Sequence, residues 1–169
     1  LLPDPYVGMN AVETRALENR FFWYHRRFAV ADTDPDDLAP YLVFEGLDCW
    51  ADIFLNGQLI ASTDNMLVEH AIPVSGRLWS ENDLLVRLRP GRHESLHARK
   101  AAHMFGWDIF PRIVSAGIWR PVSLRFLPRT RLERVYLETQ RLSGDRRDAR
   151  LVLHWEAKGA AFDRASVCE

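Results

Sequence analysis

Several features that would point to a particular class of protein are missing from this sequence. No stretch approaches the ~18–20 apolar residues that a membrane-spanning helix needs. Basic and acidic side chains nearly cancel, with 22 Lys and Arg against 23 Asp and Glu, so no strong field favours nucleic acid or an anionic membrane. Only two cysteines occur, Cys49 and Cys168, too far apart to indicate a disulfide framework. With no signal peptide visible either, we expect a cytoplasmic protein with neither a nucleic-acid nor a membrane partner.

The usual catalytic and metal-binding motifs are also scarce. No nucleophile elbow, phosphate-binding glycine loop or Cys-His pair stands out. The acidic run from Asp32 to Asp37 could suggest calcium, but it contains a proline and lacks the closing Glu of a calcium loop, so a solvated turn is the better interpretation. The histidines at 93, 97 and 103 lack the neighbouring ligands of a zinc site. We predict no metal, no cofactor and no catalysis by this chain alone.

Lysine is scarce too, since Lys100 and Lys158 are the only two among the 22 basic residues and the other 20 are arginines. We interpret this as codon bias, because a basic binding surface would need a clustered stripe. Glu45, Glu69 and Glu81 are single carboxylates to which the sequence assigns no partner. Glycoside hydrolysis needs a pair of carboxyl groups, and no such pair can be named here.

Short alternating segments dominate the chain and predict an all-β fold. Asn56-Gly57 between two apolar-rich runs is a strong hairpin signal, because a tight primed turn needs positive φ at both central residues. Leu84, Val86 and Leu88 alternate with Leu85, Arg87 and Arg89, and Val122, Leu124 and Phe126 alternate with Ser123 and Arg125. This period of two predicts strands with one buried and one wet face. The only early helix candidate, residues 10–19, is predicted to be a turn or two.

The pattern changes character near residue 130. Two strand-like segments, one around Leu132–Leu137 and one around Leu151–Trp155, flank a polar turn. So few strands cannot bury two faces. We therefore predict two domains, a β-sandwich over residues 1–129 and the first strands of a second, truncated sandwich over residues 130–169.

The segment from Ala98 to Pro121 is the densest in candidate chemistry. It is long for a connection between strands and too aromatic for a disordered one. Within it, Trp107 and Asp108 place an indole beside a carboxylate, which suits a sugar: the ring covers a C–H face and the acid accepts hydroxyl hydrogens. The alternative is that Trp107 is a core residue and Asp108 caps a turn. The residues alone leave both open.

Over roughly residues 4 to 126 the sequence resembles the β-mannosidases of glycoside hydrolase family two. The segments that carry this resemblance, in chain order, are Asp4-Pro5-Tyr6, Trp23-Tyr24, Phe44-Glu45-Gly46-Leu47-Asp48, Asn56-Gly57, Thr63-Asp64-Asn65-Met66, Arg99-Lys100-Ala101, Phe105-Gly106-Trp107-Asp108 and Gly117-Ile118-Trp119-Arg120-Pro121. One departure is that Ile109 and Phe110 stand where these enzymes usually have tryptophan and glycine. The exact sugar therefore stays open.

The resemblance implies a jelly-roll sandwich of the galactose-binding type, followed by the start of an immunoglobulin-like sandwich. It implies a parent glycosidase whose two catalytic glutamates lie on a (β/α)₈ barrel, no part of which is in this chain. Asp108 would accept hydrogen bonds from a mannose hydroxyl, Trp107 would wall the pocket, and Asn10 lies in a segment that approaches it. The expected partners are thus a β-mannoside or related oligosaccharide and the barrel of the same polypeptide.

Two other functions are compatible with the same residues. A free-standing carbohydrate-binding module would bind sugar without the barrel, although a loop that supplies one wall of a pocket buries little of a ligand. A purely structural domain would leave Trp107 buried and Asp108 bonded to the backbone.

Overall fold

The structure, a computed structural model, describes residues 3–31, 37–91, 98–109 and 111–159. These residues form two compact units. The first contains residues 3–31 and the described residues between 40 and 125, and the second contains residues 37–39 and 126–159. The all-β prediction is confirmed. The assignment of residues 130–169 to an immunoglobulin-like sandwich stays a prediction.

Regular structure within the described residues is almost entirely β. The short helical segment predicted near the start is confirmed as an α-helical turn, α1 (Asn10–Glu13), followed by a 3₁₀ turn (Thr14–Leu17). No helix in this part of the chain is long and apolar enough to cross a membrane. The strands are β1 (Phe22–Ala29), β2 (Leu38–Phe44), β3 (Leu47–Asp48), β4 (Ala51–Leu55), β5 (Gln58–Thr63), β6 (His70–Pro73), β7 (Glu81–Leu88), β8 (Gly117–Ile118), β9 (Val122–Pro128), β10 (Arg131–Leu142) and β11 (Ala149–Lys158).

The first unit is built from two main sheets and a small one. One sheet has the order β1-β7-β4-β5, with every neighbouring pair antiparallel. The other has the order β6-β2-β9, and β3 pairs with β8 in a short ladder of two residues. The apolar side chains of both main sheets meet in one buried cluster, so the unit is a β-sandwich.

The predicted hairpin at Asn56-Gly57 is confirmed. Leu55 pairs with Gln58, which leaves a two-residue turn in which Asn56 has φ 50° and Gly57 has φ 79°. Both values lie in the left-handed region that primed hairpin turns require. The Asn56 side chain also holds the turn to β7, because its Oδ1 accepts a hydrogen bond of 2.9 Å from the backbone N–H of Asp83.

The core follows the predicted alternation in the central strands but not at the edges. Leu84, Val86 and Leu88 of β7 are all buried, as predicted. In β9, however, residues 122–127 are uniformly half-buried, so the predicted alternation there is wrong. The reason is position, since β9 ends the order β6-β2-β9 and an edge strand has a neighbour on one side only.

The second unit contains an antiparallel hairpin of β10 and β11. The turn at its tip closes through a 2.9 Å hydrogen bond from the Ser143 N–H to the Asp148 carbonyl. Apolar side chains on both strands stay exposed, including Leu137 and Leu153. A ribbon of two strands has no second layer to bury them against.

An acid on the outward face of the first sheet ties three of its strands together. The Asp52 carboxylate (β4) accepts hydrogen bonds from Arg87 (β7) at 2.7 Å and 3.1 Å and from the Ser62 hydroxyl (β5) at 2.7 Å. Burial alone would raise the pKa of Asp52. The hydrogen bonds from Ser62 and Arg87 and the charge of Arg89 outweigh burial, so the pKa lies below its ordinary value of 3.8.

The lowered pKa of Asp52 predicts how the free energy of unfolding changes at acidic pH. Because the folded state favours the ionised form, Asp52 stabilises the fold above pH 3.8, and this contribution is lost as pH falls through the folded pKa. Asp52→Asn should therefore lower the free energy of unfolding by about 2 kcal/mol at pH 7. The difference from wild type should shrink below about pH 3.8. Urea unfolding at both pH values measures this.

The matched control for this prediction is Asp64→Asn, which changes an exposed acid of the same unit. We expect a change within about 0.5 kcal/mol. An Asp52→Asn difference that did not vary with pH would show that the carboxylate charge is not the source of its effect.

Candidate functional site

The long connection between β7 and β9 contains the predicted site and is anchored to the sandwich at several points. Its outgoing arm begins at Arg99, which forms a parallel bridge with Asn65 and accepts a 2.8 Å hydrogen bond from the Met66 N–H. Its return arm ends in β8, where Gly117 pairs with Asp48 and Ile118 with Leu47 of β3. The segment is therefore fixed at its base on both sides.

A buried ion pair lies at this base. The Lys100 ammonium group contacts the Asp48 carboxylate, and the two side chains are only 2% and 5% exposed. Lys100 Nζ also donates to the Ser115 carbonyl at 2.5 Å and to the Ser115 hydroxyl at 3.1 Å. The Ser115 hydroxyl in turn donates to the second oxygen of Asp48. The three side chains thus form a closed ring of hydrogen bonds between the two arms and β3.

Sequence reasoning did not identify Lys100, although the sequence carried a signal. Lys100 is one of two lysines among 22 basic residues, and we interpreted this scarcity only as codon bias. An ammonium group has three donors in a tetrahedral arrangement, whereas guanidinium is a planar fork. Scarcity alone marks two positions: at Lys100 three acceptors surround the ammonium group, whereas the Lys158 side chain is 54% exposed.

The tip of the segment turns at residues 103–106. The Gly106 N–H donates to the His103 carbonyl at 2.9 Å, and Gly106 has φ 96°, which favours glycine. The Phe105 ring on one side of the turn lies 5.3 Å below the guanidinium of Arg112. Phe105 therefore anchors the turn against the return arm, whereas Trp107, two residues later, is exposed to solvent.

Trp107 and Asp108 both lie on the surface of the described chain. Trp107 is 63% exposed, and its ring centroid is 5.2 Å from that of His103, with the planes tilted by 48°. Asp108 is exposed, and its carboxylate makes no hydrogen bond or ion pair within the described residues. The alternative of a core tryptophan beside a capping acid therefore does not hold for these residues. Their role in binding a sugar stays a prediction.

Asn10, the third predicted site residue, starts α1 and is half-buried. Its side-chain amide donates to the backbone carbonyl of Asp4 at 2.8 Å, and its backbone carbonyl accepts from the Thr14 hydroxyl at 2.8 Å. These bonds shape its own segment. The same segment reaches the return arm through Glu18, whose carboxylate accepts hydrogen bonds from Arg112 Nε at 2.9 Å and 3.0 Å.

A cleft of about 320 Å³ lies between this N-terminal segment and the return arm. Its walls include Pro5, Tyr24, Trp50, Arg112 and Ser115. A cleft of this size, with aromatic and charged groups on its walls, is of the order of small-molecule sites. The N-terminal segment that contains Asn10 and the return arm therefore lie on the same side of the sandwich.

Several other residues that were candidates for chemistry make structural contacts instead. Burial raises the pKa of the Cys49 thiol to about 11, and its Sγ donates to the Asp64 carbonyl at 3.1 Å, so Cys49 is a poor nucleophile at neutral pH. The partner that the sequence could not assign to Glu45 and Glu69 is Arg125, at 2.5 Å and 3.1 Å. The part of the chain described contains no cluster of potential metal ligands. His103 is exposed, whereas His93, His97 and residues 32–36 lie outside the described residues.

The β-sandwich and its long anchored segment match a known family. Residues 1–120 match the sequence profile described as "glycosyl hydrolase 2 galactose-binding domain-like". The chain belongs to this glycosyl hydrolase 2 family. The family predicted from the sequence motifs is thus confirmed, together with the galactose-binding-like sandwich.

Several proteins similar to this chain are β-mannosidases. Beta-mannosidase B of Thermothelomyces thermophilus is 32% identical over 161 residues, covering 82% of this chain and 19% of that protein. Beta-mannosidase B of Aspergillus clavatus is 29% identical over 185 residues, covering 96% and 22%. The crystal structure of the β-D-mannosidase from Dictyoglomus thermophilum superposes with a TM-score of 0.77 at 32% identity, covering 90% and 21%. The chain spans about a fifth of the length of these relatives and matches their N-terminal domain, as predicted.

At the end of the return arm, the packing of Trp119 against Gly46 can be tested by substitution. Trp119 donates its backbone N–H to the Gly46 carbonyl at 3.1 Å, and its indole covers Gly46. A Cβ at position 46 would lie 2.5 Å from Trp119 Nε1 and 2.6 Å from Cε2. Gly46→Ala should therefore displace the indole and lower the free energy of unfolding by about 1–3 kcal/mol, as measured by urea unfolding.

Gly144→Ala is the matched control, because a Cβ there would meet no heavy atom within 4 Å. We expect its effect to stay within about 0.5 kcal/mol. Equal stability of the two variants would mean that Trp119 does not pack on Gly46 in solution.

Proposed function

We propose that this chain is the non-catalytic N-terminal part of a retaining β-mannosidase-like glycoside hydrolase. Its segment from residue 98 to residue 121 contributes Trp107 and Asp108 to the substrate pocket of a (β/α)₈ barrel on the same polypeptide. The catalytic pair of carboxylates lies on that barrel, about 5–5.5 Å apart as retaining hydrolysis requires. Asn10 approaches the same pocket.

The observation that carries this proposal is the contrast between the base and the tip of the segment. The base is held by buried hydrogen bonds at Lys100 and by the pairing of β8 with β3. At the tip, Trp107 is 63% exposed and Asp108 is exposed with an unbonded carboxylate within the described residues. A fold that fixes a segment so firmly and leaves its indole and acid open to solvent favours a binding role for both.

The chemistry of the two side chains suits a neutral hexose. The indole offers a flat apolar face of the kind that covers the C–H groups of a pyranose ring. The carboxylate accepts charge-assisted hydrogen bonds from hydroxyl groups. Closure of the pocket by the barrel would exclude water from these bonds and strengthen them.

The first test is made in the whole enzyme, with an aryl β-mannoside as substrate. Asp108→Ala should lower kcat/KM about 100-fold, because the sugar hydroxyl loses a charged acceptor in a closed pocket. Trp79→Ala and Asp64→Ala, at exposed positions elsewhere on the first unit, should leave kcat/KM within about twofold. Near-normal kinetics of Asp108→Ala would remove this residue from the pocket.

The second test concerns the chain alone and separates this proposal from a free-standing carbohydrate-binding module. One exposed indole and one carboxylate supply a single wall, which buries too little of a monosaccharide for tight binding. Titration calorimetry of the 169-residue chain with mannose or mannobiose should stay flat at millimolar sugar. Saturable heat that Trp107→Ala abolishes would favour the binding-module function instead.

A further inference from the structure

We propose that Lys100 is a positioning residue for the sugar pocket, acting through Trp107 and Asp108 rather than on the substrate. This inference rests on the proposed function. It assigns a specific task to a buried cation.

The ring of hydrogen bonds at Lys100 uses every polar group that the three side chains offer. The three donors of the ammonium group go to the Asp48 carboxylate, the Ser115 carbonyl and the Ser115 hydroxyl. The hydroxyl accepts from Lys100 and donates its own hydrogen to Asp48, so each Asp48 oxygen has a donor. Complete pairing of this kind holds one geometry, because any displacement leaves a buried charge unsatisfied.

The location of the ring makes it a clamp on the segment that carries the site. Lys100 lies on the outgoing arm, eight residues before Asp108, and Ser115 lies on the return arm, seven residues after it. Asp48 belongs to β3, which pairs with β8 at the end of the return arm. The Lys100 side chain therefore joins the two arms to each other at their base and joins both to β3.

A second tie between the arms lies nearer the tip of the segment. Arg112 holds the return arm to Glu18 of the N-terminal segment, and it also donates to the Phe105 carbonyl of the outgoing arm at 3.4 Å. Its side chain is more exposed, at 20%, than that of Lys100 at 2%, so Lys100 is the more deeply buried of these two cations. Setting the separation of the arms at their base, and with it the place of the tip, is the task we assign to Lys100.

The choice of lysine agrees with this task. The chain uses arginine for 20 of its 22 basic residues, including the ones that pair with Asp52, Glu18 and Glu69. At the clamp, two acceptors on Ser115 and one on Asp48 converge on a single nitrogen, which suits a compact ammonium group and not a planar fork.

The test is a double-mutant cycle of Lys100→Met and Asp108→Ala in the whole enzyme, with kcat/KM for an aryl β-mannoside as the readout. In the wild-type background, Lys100→Met should cost about tenfold to 100-fold, since misplacing a binding group by about 1 Å has effects of that size. In the Asp108→Ala background, the same change should cost less than about threefold, because Trp107 is then the only one of the two positioned groups that is left. A purely structural role would give the same fold-loss in both backgrounds.

The matched control is Lys158→Met, the same substitution at the only other lysine, which we expect to leave kcat/KM within about twofold. Melting temperatures of all variants show that kinetics are compared between folded proteins. If Lys100→Met does not fold, Ser115→Ala replaces it in the cycle, since it removes one acceptor of the clamp and keeps the ion pair. Its expected cost is about fivefold, again reduced in the Asp108→Ala background.

The outcomes separate the two proposals. Loss of activity at Asp108 together with equal losses for the clamp variant in both backgrounds would overturn the positioning role and leave the proposed function intact. Unchanged kcat/KM for the clamp variant would also overturn it. Unchanged kinetics of Asp108→Ala would overturn the pocket role of Asp108, which both proposals include.

Discussion

A cation and an anion that are both out of water must satisfy each other, and this constraint organises the site region of the protein. Lys100 and Asp48 lie 52 residues apart in sequence and meet in the interior of the first unit. Desolvating two charges is expensive, so such a pair persists only where its geometry is fixed and its remaining donors and acceptors are filled. Ser115 fills them here. The arms of the long segment, β3 and β8 thereby become one rigid base.

Many of the opposite charges in this chain form ion pairs with each other. Three arginines with acidic partners, Arg87, Arg112 and Arg125, join strands or segments that are distant in sequence. These pairs contribute little each where they are exposed, but the Asp52 cluster links three neighbouring strands and is largely buried. These three arginines therefore hold strands and segments of the first unit together.

The structural features that could be predicted from the sequence depend on residues close together along the chain. The Asn56-Gly57 turn and the alternation in β7 depend on residues a few positions apart, and both are correct. The motif around Trp107 and Asp108 led to the family. The Lys100–Asp48 ion pair and the pairing of β3 with β8 join residues more than 50 positions apart, and no local periodicity encodes such contacts. The half-burial of β9 depends on strand order, which period-two patterning does not reveal.

The ribbon formed by β10 and β11 has a consequence for handling the protein. Leu132, Val135 and Leu137 on one strand, and Leu151 and Leu153 on the other, are each more than half exposed to solvent. Long extended strands rich in leucine and valine have open edges that pair readily with those of another molecule. The 169-residue chain purified by itself should therefore self-associate through the β10–β11 ribbon as concentration rises, and a version that stops before Arg131 should remain monodisperse.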